Sequence, residues 1–288
     1  MAFVADLPPH DLYQALVLPR AMALDVPDVA PIAAHPGPLR AARVRGLVRH
    51  FVALASVALL SIWILMIAAM LTTGWAGQVA GVDYRAITGA ASRWVTTGNF
   101  YQPWQLAGPY AIQYGHSIDV LYPPVVLWLV VPFLFLPAFL WWAIPAAATA
   151  WGLLRLRPGP WTRMVLFVLA LWPWSIGVWL WGNPSMWVLA AESLGLAYGW
   201  PAVLVLVKPT LAPFALIGVR NRSWWIALGV FILLCLPFGA LWADWIRAAV
   251  VNPTNGGLGY SVPNLPYMVM PLVAWAARMK HPPACART

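Results

Sequence analysis

Asp83 is one of only eight acidic residues in a chain of 288. It stands just past the first long apolar run, where the sequence turns to WAGQVAGVDYRAITGAASRWVTTGNFYQPWQLAGPYAIQYGHSIDVLYPP. A carboxylate at that boundary has the chemistry of a general base that deprotonates a hydroxyl at a membrane surface. It equally suits the first turn of a helix over 83–97, where the helix dipole favours negative charge. The two roles are compatible.

Lys208 lies inside the apolar run PAVLVLVKPTLAPFALIGV. A lysine deep in a span costs about 2.5–3.5 kcal/mol on insertion scales, so it normally faces a cavity or a partner. Eight residues into a helix it sits about 12 Å below the surface, a depth that suits a lipid-linked phosphate. A pair with Glu192, or an ammonium snorkelling to the interface, would serve as well. Pro209, next in the chain, loosens the helix at that point.

The remaining candidates are polar groups on turns and loops. Gly182-Asn183-Pro184-Ser185 is strong turn chemistry, and Asn183 either contacts a ligand or marks a helix break. His116 and Asp119 either bind a substrate or face water. Asn252, Asn255, Tyr260, Ser261 and Asn264 offer the hydroxyls and amides that sugar recognition uses and that any wet loop contains. His10, His35, His50, His116 and His281 have no metal-ligand spacing, and no Gly-rich phosphate loop, Walker sequence or DxD pair is present.

The elements that must position these residues follow from composition. The chain is 62% hydrophobic and 9% charged, with mean hydropathy +0.75. A soluble domain carries roughly 25% charged residues. The expectation is an all-α polytopic membrane protein, its 20 tryptophans suited to the membrane–water interface. The net charge of +9 does not point to nucleic acid. Arg40, Arg43, Arg45 and Arg49 precede the first span, Arg220 and Arg222 lie between two spans, and Arg278 and Lys280 follow the last. That is a positive-inside pattern, with membrane lipids as partners. Cys235 and Cys285 suggest no disulfide framework. No signal peptide is expected, since the first apolar run begins near residue 51.

Residues 1–38 read as a disordered cytoplasmic tail, with a short surface helix conceivable over 9–24. A transmembrane domain follows over 39–280, then a cytoplasmic tail over 281–288. Spans are expected near 51–73, 122–137, 139–154, 164–181, 185–198, 201–218, 223–242 and 264–278. Two outer loops, 74–121 and 243–263, separate them. The first carries short helices over 83–97 and after Pro103, and its aromatics, Tyr84, Trp94, Phe100, Tyr101, Trp104, Tyr110 and Tyr114, would hold it on the membrane. Eight spans leave Arg155, Arg157 and Arg163 outside, against the charge rule. Merging 122–154 into one kinked span and making 182–199 re-entrant removes that conflict. Both versions keep Asp83 and the second loop outside.

The order of motifs carries a resemblance. Asp83-Tyr84 opens the first outer loop, followed by WVTTGNFY at 94–101, VLYPPVVLWLVVPFLFLP at 120–137, WGNPS at 181–185, VKPTLAPFAL at 207–216 and RNRSWW at 220–225. Over about 50–275 this resembles the polyprenyl-phosphate-sugar-dependent glycosyltransferases of the GT-C superfamily, in particular the mannosyltransferases of glycosyltransferase family 87. The family's Gly-Gln-x-Asn reads Gly182-Asn183-Pro184-Ser185 here. The resemblance implies a GT-C-like bundle of about eight transmembrane helices with its active site on the outer face. Asp83 matches the catalytic base, Tyr122 and Pro123 the Tyr-Pro-Pro motif, and Lys208 the lysine near the lipid phosphate.

The implied reaction moves a hexose, mannose by resemblance, from polyprenyl phosphate to a lipid or glycan acceptor outside the cytoplasm of a bacterial inner membrane. The N-terminus would be cytoplasmic, and no cofactor or metal is called for beyond the lipid-linked donor. Arg85 or Arg93 would assist Lys208 at the phosphate. Tyr84, Tyr101, His116, Asp119, Tyr122, Asn183, Tyr260 and Asn264 would contact sugar or acceptor. The rival readings are a transporter or flippase of a lipid-linked intermediate and a truncated, catalytically inactive membrane scaffold.

Overall fold

The structure, a computed structural model, describes residues 38–72, 79–107, 120–251 and 262–278. The surface helix expected over 9–24, and His116, Asp119 and Tyr260, lie outside the described residues. Two units are distinguished, Met1–Leu47 and Val48–Thr288. Helix α1, Pro38–Thr72, begins in the first. The described residues are mostly helical and contain no strand, in keeping with the all-α expectation.

Helix α2, Val82–Thr97, covers the segment expected to be helical within the first loop, and α3, Pro103–Leu106, follows Pro103. Both ends of α2 are glycines in the left-handed region, Gly81 and Gly98, a conformation glycine adopts without a Cβ penalty. Asp83 is in the first turn of α2, as the dipole argument requires.

The expected spans are only partly found as single helices. Among the described residues no single helix is long and apolar enough to cross a membrane, and proline is the main reason. The expected span 122–137 is a chain of short pieces: a 3-10 turn at Pro124–Val126, α4 at Leu127–Val130, and a second 3-10 turn at Val131–Leu134 that contains Pro132. The span 139–154 is one helix, α5, Leu140–Leu156. The span 164–181 breaks into α6, Pro160–Ala170, and α7, Pro173–Trp181, bent by 63°. Trp172 precedes Pro173 and is held extended at ψ 135, because a proline disfavours helical geometry in the residue before it.

Helix α8, Ser185–Tyr198, falls where a helix was expected. The span 201–218 is two 3-10 stretches, Trp200–Val207 and Pro209–Gly218, divided at Lys208. The segment 223–242 becomes α9, Arg222–Cys235, a 3-10 turn to Phe238, and α10, Leu241–Ile246. Arg222–Phe238 and Leu241–Val250 meet at 96°. A π turn at Arg247–Val251 continues α10, so the second loop is helical as far as 251. The last helix is α11, Leu265–Ala276.

Helix α8 is the centre of the packing, with Met186, Val188, Leu189, Ala190 and Ala191 all buried. It runs beside α5, the first 3-10 stretch and α11. The approach to α5 is close: a Cβ on Gly152 would lie 2.7 Å from the Ser193 carbonyl carbon. The N-terminal end of α8, where Ser185 and Met186 are fully buried, carries the candidate site.

Candidate functional site

The loop between α7 and α8 is built from its own sequence. Gly182 closes α7 at φ 69, with its N–H donating to the Trp179 carbonyl at 3.1 Å and the Asn183 N–H donating to Val178 at 2.9 Å. That pair of bonds is the Schellman arrangement, and Pro184 follows where a helix cannot continue. Trp141 Nε1 donates to the Gly182 carbonyl at 2.8 Å and Trp142 Nε1 to the Trp179 carbonyl at 2.7 Å, so α5 clamps the loop. The Gly81 N–H donates to the Leu180 carbonyl at 2.8 Å and docks the start of α2 on the end of α7.

Asn183 is the hub that results. Its Oδ1 accepts from the Ser185 backbone N–H at 2.9 Å, an Asx turn that starts α8, and from the Tyr122 hydroxyl at 3.3 Å. With the oxygen turned to those donors, Nδ2 points the other way and donates to Asp83 Oδ2 at 2.6 Å. An amide has one acceptor side and one donor side, so the network itself fixes its orientation.

Lys208 reaches the hub from the far side. Pro209 holds it outside helical geometry, at φ −124 and ψ 85, in the break between the two 3-10 stretches. Its side chain is fully buried, and Nζ donates to Ser185 Oγ at 2.6 Å. Nζ also lies 5.5 Å from the centre of the Tyr122 ring, within cation–π range. Asn264, at the start of α11, donates to the same Ser185 Oγ at 3.1 Å and accepts from Trp174 Nε1 at 2.6 Å.

Tyr122 is placed by an irregular segment whose three successive carbonyls are each held by a side chain. Gln105 Nε2 donates to Val120 at 3.0 Å, Trp245 Nε1 to Leu121 at 3.0 Å, and the Tyr101 hydroxyl to Tyr122 at 2.7 Å. Buried backbone outside regular structure needs such partners.

The electrostatics follow from burial. Burial pushes the Asp83 carboxyl above its ordinary value of 3.8, and the Asn183 hydrogen bond and the Lys208 charge pull it back part of the way. The arrangement is a half-buried carboxylate able to hold a proton, linked by a continuous polar chain to the buried amine of Lys208.

Asp83, Tyr122, Asn183, Lys208 and Asn264 thus come together from distant parts of the sequence. Other candidates do not join them. Tyr101 is buried, and its hydroxyl supports the backbone instead of facing a sugar. Burial also drives its hydroxyl further from ionisation. Arg93 donates to the Phe100 carbonyl at 2.6 Å and ties down the end of α2, where burial lowers its pKa. Arg85 folds back on its own helix start, donating to the Ala80 carbonyl at 2.6 Å. Tyr84 packs against Trp141 and Trp142, with its hydroxyl 3.4 Å from the Phe133 carbonyl. The considered Lys208–Glu192 pair is not made, because Lys208 turns to Ser185 while both Glu192 carboxylate oxygens are buried with no hydrogen-bond partner.

Residues that the sequence did not single out complete the site. Ser185 is the junction of Lys208 and Asn264, and its only signal was its place in the turn motif. Gln105 had the signal of Gln102 three residues before it, the spacing of the capping box it forms. Trp174 and Trp245 had no signal to separate them from the other tryptophans.

No protein-family model matches this chain, and comparisons with curated proteins and with solved structures give no match.

Proposed function

We propose that this protein is a membrane glycosyltransferase that moves a hexose from polyprenyl phosphate to a lipid or glycan acceptor. The observation that carries the reading is the polar chain from Asp83 through Asn183 and Ser185 to Lys208. It puts a carboxylate base and a cation in one site, which are the two groups that transfer from a phosphate donor needs.

The chemistry runs as one displacement. The acceptor oxygen attacks the anomeric carbon, and its proton passes to Asp83. The bond from that carbon to the phosphate oxygen breaks, and its electron pair leaves with the polyprenyl phosphate. Burial keeps Asp83 basic enough to take the proton, while Asn183 fixes the carboxylate's direction. The Lys208 ammonium meets the negative charge on the departing phosphate. Tyr122 and Asn264 border the same network and suit contacts to the donor.

The membrane setting rests on composition and on the two bent helix pairs, whose length and apolarity suit broken spans. In this reading Asp83 faces the extracytoplasmic side of a bacterial inner membrane, with the N-terminus in the cytoplasm. Mannose is the sugar to try first.

The test is transfer by the purified full-length protein in liposomes. Radiolabelled polyprenyl-phosphate mannose and polyprenyl-phosphate glucose would be supplied with total lipid extract as acceptor. Transfer by the wild type that falls about 10²–10⁴-fold in Asp83→Asn is the expected result for loss of a general base. Lys208→Met should fall by about 10²–10³-fold, as when one charge-stabilising group is removed. Equal transfer by wild type and Asp83→Asn would remove the base from the mechanism, and no transfer by any form would overturn the enzyme reading.

A further inference from the structure

Helix α8 starts at the candidate site and ends at Gly199, about 21 Å away at the helical rise. The far end gathers arginines from three parts of the chain. Trp151, on α5, donates through Nε1 to the Tyr198 hydroxyl at 3.0 Å, and the Arg155 guanidinium lies 4.6 Å from the centre of the Trp151 ring. Arg157 closes α5 at φ 50. Pro158 forms an antiparallel bridge with Arg278, and its carbonyl accepts from Arg163 Nε at 3.1 Å. A Cβ on Gly199 would meet the Asn221 side chain, so Arg220 and Arg222, on either side of Asn221, stand at the same end.

All six arginines are exposed. The described acidic residues lie elsewhere: Asp83 in the candidate site, Glu192 buried within α8, and Asp244 on α10, next to the Trp245 that holds Leu121. Helix dipoles account for part of the cluster, because α5 and α11 end here and a cation suits a helix C-terminus. Arg163 and Arg222 are the opposite case. Each lies in the first turn of a helix, α6 and α9, where the dipole disfavours a cation.

Indoles stand among the arginines and decide the kind of anion. Trp151, Trp200, Trp225 and Trp275 are all exposed, with Trp225 Nε1 donating to the Val219 carbonyl at 3.0 Å and the Arg278 guanidinium 4.6 Å from the centre of the Trp275 ring. Exposed indoles suit the head-group depth of a bilayer, whereas a soluble polyanion would leave them in water. A guanidinium stacked on a ring still presents its N–H edge to a phosphate.

We propose that this end of the bundle holds the head groups of anionic phospholipids in the cytoplasmic leaflet. The proposal rests on the membrane reading given above and adds a partner separate from the lipid-linked donor. It also brings Arg155, Arg157 and Arg163 to the side of Arg220, Arg222 and Arg278, as the charge rule requires, with Asp83 at the other end of α8.

The experiment uses the full-length protein in neutral detergent, with retained lipid read by native mass spectrometry after equal addition of phosphatidylglycerol and phosphatidylcholine. Phosphatidylglycerol should be retained in clear excess. The attraction of one arginine to an anionic lipid surface corresponds to about fivefold in binding, so Arg163→Gln and Arg222→Gln should each lower that retention about fivefold. Arg247→Gln removes the same charge from the π turn after α10, away from this end, and should leave it unchanged. Gly159 has open space around its Cβ position. In a chain with Cys235 and Cys285 replaced by serine, Gly159→Cys should react with a membrane-impermeant maleimide only after the cells are opened.

Equal retention of the two lipids by the wild type, or the same loss in Arg247→Gln as in Arg222→Gln, would overturn the proposal. Labelling of Gly159→Cys in intact cells would place this end outside and overturn the leaflet. Displacement of phosphatidylglycerol by a short oligonucleotide would give the face to a soluble polyanion and overturn the lipid assignment. The two proposals fail separately. Selective retention without sugar transfer sinks the enzyme reading alone, and sugar transfer without selective retention sinks the lipid face alone. A chain that stays in solution without detergent would sink the membrane reading beneath both.

Discussion

Asn183 Nδ2 donates to Asp83 Oδ2 at 2.6 Å, across a hundred residues of sequence. The bond does two things to the carboxylate. It fixes its direction, and it favours the charged form against the burial that opposes it. Asn183→Ala removes the donor and leaves burial less opposed, so the Asp83 pKa rises further. A base works only when ionised. The acid limb of the pH profile for kcat/KM should therefore move to higher pH, and activity at neutral pH should fall and partly recover in alkali. An unmoved limb would show that the ionisation of Asp83 does not govern the rate.

The same carboxylate makes a prediction about stability. The folded pKa of Asp83 lies above its ordinary value of 3.8, so the folded state holds the proton more tightly than the unfolded one. That contribution is fully present below 3.8 and is lost as pH rises through the raised folded value. Asp83→Asn mimics the protonated form at every pH. It should abolish this part of the pH dependence and unfold in detergent at the wild-type temperature or higher when assayed at neutral pH. A variant that loses stability at neutral pH would mean that the Asp83 charge holds the site together.

Gly182 sets the direction of Asn183, and a side chain there is excluded twice. Its φ of +69 lies in the left-handed region, which costs an L residue about 1–2 kcal/mol. A Cβ would also lie 2.8 Å from the Trp142 ring and 2.9 Å from Tyr84 Cβ. Gly182→Ala should destabilise the protein by about 2–4 kcal/mol, adding an overpacking cost to the backbone cost. It should lower kcat more than it raises KM, because the base is displaced while Lys208 stays in place. Thermal unfolding and steady-state kinetics on the same preparation check both.

Helical class was legible in the sequence because long apolar runs with few charges have few other solutions. Helix α8 and helix α2 stood out because strong breakers bracket them, Gly182 and Pro184 before α8 with Gly199 after it, and Gly81 with Gly98 around α2. Three of the other spans, 122–137, 164–181 and 201–218, are broken, because an apolar run gives no sign of how far a proline bends it. Pro173, Pro132 and Pro209 each divided a run that hydropathy joined. In the site, Lys208 was visible as a charge within an apolar run and Asp83 as a rare acidic residue just past the end of one. Tyr101 misled because an aromatic in a polar loop looks exposed, and only the fold shows that its hydroxyl holds the Tyr122 carbonyl. Ser185 was hidden because a serine becomes informative only when two donors converge on it.

Glu192 was weighed in the sequence as the partner of Lys208, and the structure separates them. Its carboxylate is fully buried on α8, and neither oxygen has a hydrogen-bond partner. A buried polar group without partners costs about 1–3 kcal/mol, and more if it is charged. Methionine has a similar length and no such requirement. Glu192→Met should therefore stabilise the protein by about 1–3 kcal/mol and leave sugar transfer unchanged, since Glu192 is outside the Asp83–Lys208 network. Glu192→Gln, which keeps the polar atoms, should gain less. The check is thermal unfolding of both variants beside the transfer assay. If Glu192→Met folds with wild-type stability but loses transfer, the carboxylate has a role in the reaction that the Asp83 network does not supply.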